Sequence, residues 1–159
     1  MVELRPITQR NWEDAIKLDV TPEQCDFVPT VAVSLAKAYI QPDGVRYDPF
    51  GVYDSESGEL VGFFSMMYRP HEKRVVYMGG FLIDYRFQRK GYGAATLERF
   101  IEKIQTDIPE CEGVYLTVHP ENVAAEKFYT KFGFKKTGLV KDGEDAMGLT
   151  LAQPVVGRE

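Results

Sequence analysis

Read for its alternation of apolar and polar positions, the chain divides into two halves with different rhythms. Residues 2–7, Val-Glu-Leu-Arg-Pro-Ile, alternate with period two, as a half-buried strand does. Thr8 suits a helix N-cap, and Trp12, Ala15, Ile16 and Leu18 follow at helical spacing. Thr21-Pro22-Glu23 restarts the chain, and Val31–Ile40 reads as a second helix despite its β-branched Val31 and Val33. Gln41-Pro42-Asp43-Gly44 is a turn by its dipeptides. Residues 50–53, 60–68 and 74–83 are apolar runs separated by turn-rich stretches, which predicts a three-stranded antiparallel meander.

The second half alternates helix and strand. Ala94, Leu97, Ile101, Ile104 and Ile108 recur every three or four residues, so a helix opens near Gly91 and runs to about Ile108. Residues 114–118 form a short buried-type strand, and strand–helix–strand makes a parallel crossover. A last helix carries Ala125, Phe128, Tyr129 and Phe132 on one face and stops at Gly133. Residues 134–139 and 146–151 then close a hairpin around Asp142-Gly143. The sum is an α/β domain over residues 1–153, a single mixed, mostly antiparallel sheet with helices on both faces. Residues 154–159 carry no pattern and are expected to fray.

Composition narrows the class. At 159 residues, 44% apolar and 27% charged, the chain suits one ordinary soluble domain. No apolar run reaches the roughly 18 residues that span a bilayer. The N-terminus shows no leader pattern, and Cys25 and Cys111 cannot build a disulfide framework. A cytoplasmic protein with no membrane partner is expected. The net charge of −5 argues against nucleic acid and favours a cationic small molecule.

The chemistry gathers at Gln88-Arg89-Lys90-Gly91-Tyr92-Gly93, between strand 74–83 and the long helix. A basic glycine loop at that junction aims the free N–H groups of a helix start at an anion. Gly91 and Gly93 are expected to let backbone approach the ligand, with Arg86, Arg89 and Lys90 adding charge. The dinucleotide fingerprint is excluded, because Thr96 stands where its third glycine belongs and no acidic residue follows at the usual distance. The nucleoside-triphosphate pattern Gly-x-x-x-x-Gly-Lys-Ser/Thr is absent. By itself the loop is a phosphate cradle whose ligand is open.

From Phe81 to Gly93 the sequence resembles the acetyl-coenzyme A motif of the GNAT (Gcn5-related) N-acetyltransferases, Gln/Arg-x-x-Gly-x-Gly/Ala, which falls on Gln88, Gly91 and Gly93. A second family segment also matches: strand 114–118, then Asn122, Ala125, Tyr129 and Phe132-Gly133-Phe134. The likeness is strongest to the bacterial spermidine/spermine N-acetyltransferases. It implies the GNAT acyl-CoA N-acyltransferase fold, with the sheet splayed at the cofactor site. It also implies an acetyl-CoA-dependent enzyme that acetylates a primary amine by direct attack in a ternary complex. A polyamine such as spermidine or spermine is the expected acceptor, and no metal is expected.

The resemblance distributes the roles. Phe81, Leu82 and Ile83 would pair with the pantetheine arm, and Gln88, Arg89, Lys90, Gly91, Tyr92, Gly93 and Ala94 would hold the pyrophosphate. Asn122 would hydrogen-bond the pantetheine arm or a phosphate, and Tyr129 occupies the family's general-acid position. Glu23, Asp26 and Phe27, between the first two helices, would line the acceptor side with Tyr77 and Gly79. One departure stands out. Where the polyamine branch carries acidic residues on the strand, this chain has Gly79-Gly80, a pair that marks a bulge or a close approach. Deprotonation of the amine is left to water, Tyr77, Glu23, Asp26 or Glu72, with His119 a further candidate and His71 expected in solvent. Cys25 has no basic neighbour to activate it, so no acyl-enzyme is expected. The same acceptor wall would suit a protein N-terminus, a lysine or an aminoglycoside, and a coenzyme A-binding module without turnover is the other alternative. Family members pair through their C-terminal strands, which implies a homodimer.

Overall fold

A computed structural model describes residues 1–152, so the expected frayed tail at 154–159 lies outside the described residues. The elements in order are β1 (Val2–Pro6), α1 (Trp12–Ala15), α2 (Val31–Ile40), β2 (Arg46–Asp54), β3 (Leu60–Arg69), β4 (Glu72–Ile83), α3 (Tyr92–Asp107), β5 (Gly113–Val118), α4 (Val123–Phe132), β6 (Lys135–Lys141) and β7 (Glu144–Thr150). The seven strands form one sheet in the order β1-β2-β3-β4-β5-β7-β6. Among the described residues only the β4–β5 pair is parallel, as the crossover through α3 requires. Successive strand residues point to opposite faces, and adjacent Phe63 and Phe64 accordingly feed two cores. Phe64, Met66 and Met78 pack with Leu97, Phe100 and Ile104 of α3 on one face. Phe63 and Leu82 pack with Ala15, Leu18 and Val31 of the α1–α2 side on the other. Among the described residues no helix is long and apolar enough to cross a membrane.

Two expectations are corrected. The first helix is a single turn, Trp12–Ala15, entered through a turn that Thr8 caps: Thr8 Oγ1 accepts from Arg10 N–H at 3.2 Å, Thr8 O accepts from Trp12 N–H at 3.1 Å, and Thr8 N–H donates to Asn11 Oδ1 at 2.7 Å. Trp12 and Ile16 are left exposed while Ala15 and Leu18 are buried. β2 begins at Arg46 rather than residue 50, because Pro49 is tolerated mid-strand: its carbonyl accepts from Ile7 N–H, so its missing N–H lies on that same side, past the end of β1. In the closing hairpin β7 pairs with β5, which leaves β6 as an exposed edge.

The feature that positions the site is a fork. β4 and β5 pair only through Val75–Tyr77 and Gly113–Tyr115, then part. The β3–β4 register explains why. Phe63 pairs with Leu82 and Ser65 with Gly79, so Gly80 and Phe81 together oppose the single Phe64. A bulge of this kind bends its strand. Gly80 sits at its corner with φ of +58°, in the left-handed region.

Candidate active site

The loop between β4 and α3 is fixed by its own side chains, which leaves its backbone facing outward. Asp84 is buried and accepts from Arg86 N–H at 3.0 Å, Arg86 Nε at 2.8 Å and Asp19 N–H at 3.1 Å. Burial alone would raise its carboxyl pKa, but the Arg86 side-chain bond and the backbone donors outweigh that and hold it below the usual range. Arg86 is therefore committed to Asp84 rather than to a phosphate. Gln88 Nε2 donates to Ile83 O and to Gln24 Oε1, both at 2.9 Å, and Gln24 Nε2 donates back to Gln88 Oε1 at 3.3 Å. The first motif residue thus ties the loop to the stretch between α1 and α2. Tyr92 Oη donates to Asp54 Oδ2 at 2.6 Å. That bond, with the N–H groups of Ser57 and Glu56, lowers the Asp54 carboxyl to about 2.

What remains free is the row of N–H groups. Arg89 (φ 62°) and Gly91 (φ 87°) are both left-handed, and Gly91 opens α3 without a side-chain cap. No backbone or side-chain acceptor among the described residues takes the N–H groups of residues 89 to 94. Arg89 and Lys90 are exposed and make no ion pair among the described residues, so their charge adds to the same region. Six consecutive donors at a helix start, beside Arg89 and beside Lys90, whose Nζ lies 5.8 Å from the Phe87 ring centre, suit a pyrophosphate. The two glycines are needed for different reasons. Gly91 takes the left-handed turn, whereas a Cβ on Gly93 would stand 3.3 Å from Phe128 Cζ, so Gly93 serves close packing of α3 on α4.

From Met78 onward β4 has no partner on its β5 side, while Leu82 and Ile83 pair on the other side with Phe63 and Gly62. This open edge can accept an extended ligand as a further strand. The opposite wall is the end of β5 and α4. Asn122 caps α4, its Oδ1 accepting from Ala125 N–H at 3.2 Å. Tyr129 packs edge-on against Phe128 (5.2 Å) and Phe134 (5.6 Å), and its hydroxyl has no hydrogen-bond partner among the described residues. Burial pushes the phenol well above its ordinary pKa, which keeps it protonated as a donor at neutral pH.

On the α1–α2 face of the fork, the glycine pair is explained by its neighbours. Met67 Sδ occupies the place of a Gly79 Cβ, and a Gly80 Cβ would stand 2.6 Å from Ser34 Oγ. Side chains of β3 and α2, not a ligand, exclude anything larger there. Ser65, opposite Gly79, is 1% exposed and its Oγ has no partner among the described residues. Phe27 meets His119 ring to ring at 5.1 Å, closing the α1–α2 connection onto the end of β5. His119 Nδ1 accepts from Glu121 N–H at 3.1 Å, so the neutral ring carries its proton on Nε2. That bond occupies the Nδ1 lone pair. Glu72 begins β4 five residues before the fork, about 17 Å away along the strand, and is out of reach. Glu23 and Asp26 are exposed on the connection beside Phe27. Cys111 precedes β5 at the end away from the fork, and burial raises its thiol, so it offers no relay. Sequence reasoning missed the Gln24–Gln88 pair and the Phe27–His119 contact, both of which join residues far apart in the chain and leave no local pattern.

The comparisons with known proteins meet this geometry directly. A profile of the acetyltransferase (GNAT) family matches residues 10–134, which include the loop, the fork and Tyr129. The chain belongs to this family. Membership establishes the expected class, an acetyl-CoA-dependent N-acetyltransferase on a mixed α/β sheet. The chain is similar to the spermine/spermidine N(1)-acetyltransferase of Bacillus subtilis strain 168, with 28% identity over 156 residues that cover 92% of this chain and 96% of the relative. Among solved structures it is similar to an aminoglycoside acetyltransferase in complex with coenzyme A, at TM-score 0.72 and 21% identity over 94% of this chain and 95% of that one. It is also similar to spermidine N-acetyltransferase from Vibrio cholerae in complex with coenzyme A and spermine, at TM-score 0.69 and 18% identity over 94% and 95%. Those structural likenesses establish the fold; since one is an aminoglycoside and the other a spermidine acetyltransferase, the fold does not choose the acceptor.

Proposed function

We propose that this GNAT enzyme moves the acetyl group of acetyl-coenzyme A to a primary amine of a polyamine such as spermidine or spermine, by direct attack in a ternary complex. The observation that carries the reading is the run of unpaired N–H groups from Arg89 to Ala94, next to the open edge of β4. In this reading the N–H groups of residues 89–94, with Arg89 and Lys90, hold the pyrophosphate. The backbone of Phe81, Leu82 and Ile83 pairs with the pantetheine arm, and the Asn122 amide lies along its other side. Bound acetyl-coenzyme A supplies an activated thioester at the fork. A backbone N–H near Leu82 stabilises charge on the thioester carbonyl oxygen.

Tyr129 donates its hydrogen bond to the leaving sulfur. Its raised pKa keeps the phenol protonated and so able to donate to the developing thiolate, and the bound cofactor covers a side chain that is only partly buried without it. The attacking alkylammonium loses one proton to solvent before attack and a second during acyl transfer. The thiol gains one proton, and one is released. With no carboxylate among residues 78–83, the first proton leaves through water on the open acceptor face. Exposed Glu23 and Asp26, with Phe27, attract and seat the cationic acceptor.

The polyamine choice draws on the net charge of −5 and on the relative named for spermine and spermidine. The lack of a strand carboxylate favours one second reading, a coenzyme A-binding module without turnover. Thiol release from acetyl-coenzyme A with spermidine, spermine, an aminoglycoside and a lysine peptide separates them. The proposal expects release fastest with the two polyamines. Tight coenzyme A binding with no turnover on any amine would overturn it.

A further inference from the structure

Beside the fork, on the face that carries α1 and α2, four side chains stand in register across four strands. Tyr47 of β2 lies opposite Met67 of β3, Met67 opposite Tyr77 of β4, and Tyr77 beside Tyr115 of β5. Residues in register share a face, and alternation from Phe63, which belongs to the α1–α2 core, fixes which face it is. At about 4.8 Å per strand the row runs roughly 14 Å. The Tyr77 and Tyr115 rings are 6.0 Å apart, and Tyr77 is 42% exposed while the other three are half-buried. Tyr77 and Tyr115 are also the last paired residues of β4 and β5, so the row begins at the closed end of the fork.

Two details make the row more than scattered surface aromatics. The Tyr115 ring is seated over glycines: a Cβ on Gly113 would stand 3.0 Å from it, and one on Gly148 would collide with it. At the far end, Tyr47 feels the negative charge of Asp43, which adds to burial in raising its phenol. The row itself carries no carboxylate. It offers three aromatic rings and a thioether, and at the end remote from the fork stands Asp43, whose carbonyl accepts from Arg69 Nη1 at 2.7 Å. Methylene segments pack on ring faces, and ammonium groups are attracted to them by the ring quadrupole.

We propose that the row Tyr47–Met67–Tyr77–Tyr115 is the platform on which the unreacted length of a linear polycationic amine lies, its reacting nitrogen in the fork and its distal ammonium toward Asp43. This rests on the amine acceptor proposed above and adds how a chain with several charges is told from a single amine. Recognition by ring faces also accounts for an acceptor side that works without a carboxylate on β4.

The test is calorimetric titration of spermidine and of n-butylamine onto the coenzyme A-loaded protein, for wild type, Tyr47→Leu and Tyr47→Phe. Tyr47 lies two strands from the fork, beyond the reach of n-butylamine, and thermal melts check that both variants fold. Loss of one cation–π contact should weaken spermidine about 5-fold in Tyr47→Leu and under about 2-fold in Tyr47→Phe, with n-butylamine nearly unchanged in both. No weakening in Tyr47→Leu, equal weakening of both amines, equal loss in Tyr47→Phe, or no spermidine binding to wild type overturns the platform. Because binding is read without turnover, a wild type that binds spermidine but acetylates nothing defeats the proposed function and leaves this inference to the binding series.

Discussion

Replacing Gly80 by alanine probes the bulge that opens the fork. Two costs can be worked from the structure. A non-glycine residue in the left-handed region costs about 1–2 kcal/mol. The new Cβ would also stand 2.6 Å from Ser34 Oγ, and Ser34 is buried, so relieving the contact forces its side chain off a rotamer for about 0.5–1.5 kcal/mol. Together they predict a loss of about 1.5–3.5 kcal/mol, or roughly 3–14 °C in melting temperature for a chain of this length. Ser34→Ala removes the Oγ and leaves Ser34 Cβ as the nearest atom of that residue, 3.6 Å away, an ordinary contact. The double variant should recover the steric share of about 1 kcal/mol and keep the backbone share. Urea unfolding of the four proteins at constant slope measures the cycle. If Gly80→Ala costs under about 0.5 kcal/mol, or if Ser34→Ala relieves none of it, the account of the bulge is wrong. A folded Gly80→Ala should also turn over more slowly, because the bulge sets where β4 leaves β5.

The remaining predictions concern single side chains. Tyr129→Phe should lower kcat by about 100-fold or more while coenzyme A affinity, read by calorimetry, changes under about 2-fold; equal losses in both would reduce Tyr129 to packing. Tyr92→Phe removes the largest cause of the low Asp54 pKa. A depressed carboxyl stabilises the fold above its unfolded pKa near 3.8 and loses that contribution as pH falls toward 2, so the stability gap between wild type and Tyr92→Phe should be full at pH 7 and shrink across that window. A gap that does not change with pH contradicts the assignment. Ser65→Ala deletes a buried hydroxyl without a partner, and the unfolding midpoint should stay put or rise by up to about 1 kcal/mol of stability; a clear loss would mean that the hydroxyl is bonded in solution.

Local signals were enough for the long elements and the loop. Helical spacing marks Val31–Ile40 and the body of α3, and the glycines of the loop place the start of α3 at Tyr92. The glycine pair narrowed the strand to a bulge or a close approach, and the register decides for the bulge. The specific cause of the pair was not legible, because Met67 and Ser34 reach Gly79 and Gly80 from other elements. The same holds for Gln88, whose amide is taken by Gln24, 64 residues away. Register was the largest gap. A one-residue slip moves a side chain to the other face, so the line from Tyr47 to Tyr115 exists only once the pairing of four strands is known. Pro49 hid the start of β2 for the opposite reason, since its sequence signal is a breaker and its tolerance depends on where β1 ends.

Acetyl transfer to an amine is read from the product itself. Wild-type protein incubated with acetyl-coenzyme A and spermidine should yield N-acetylated spermidine by mass spectrometry in one-to-one ratio with the free thiol released. Thiol release without acetylated amine, or intact acetyl-coenzyme A with every amine tried, would contradict the account.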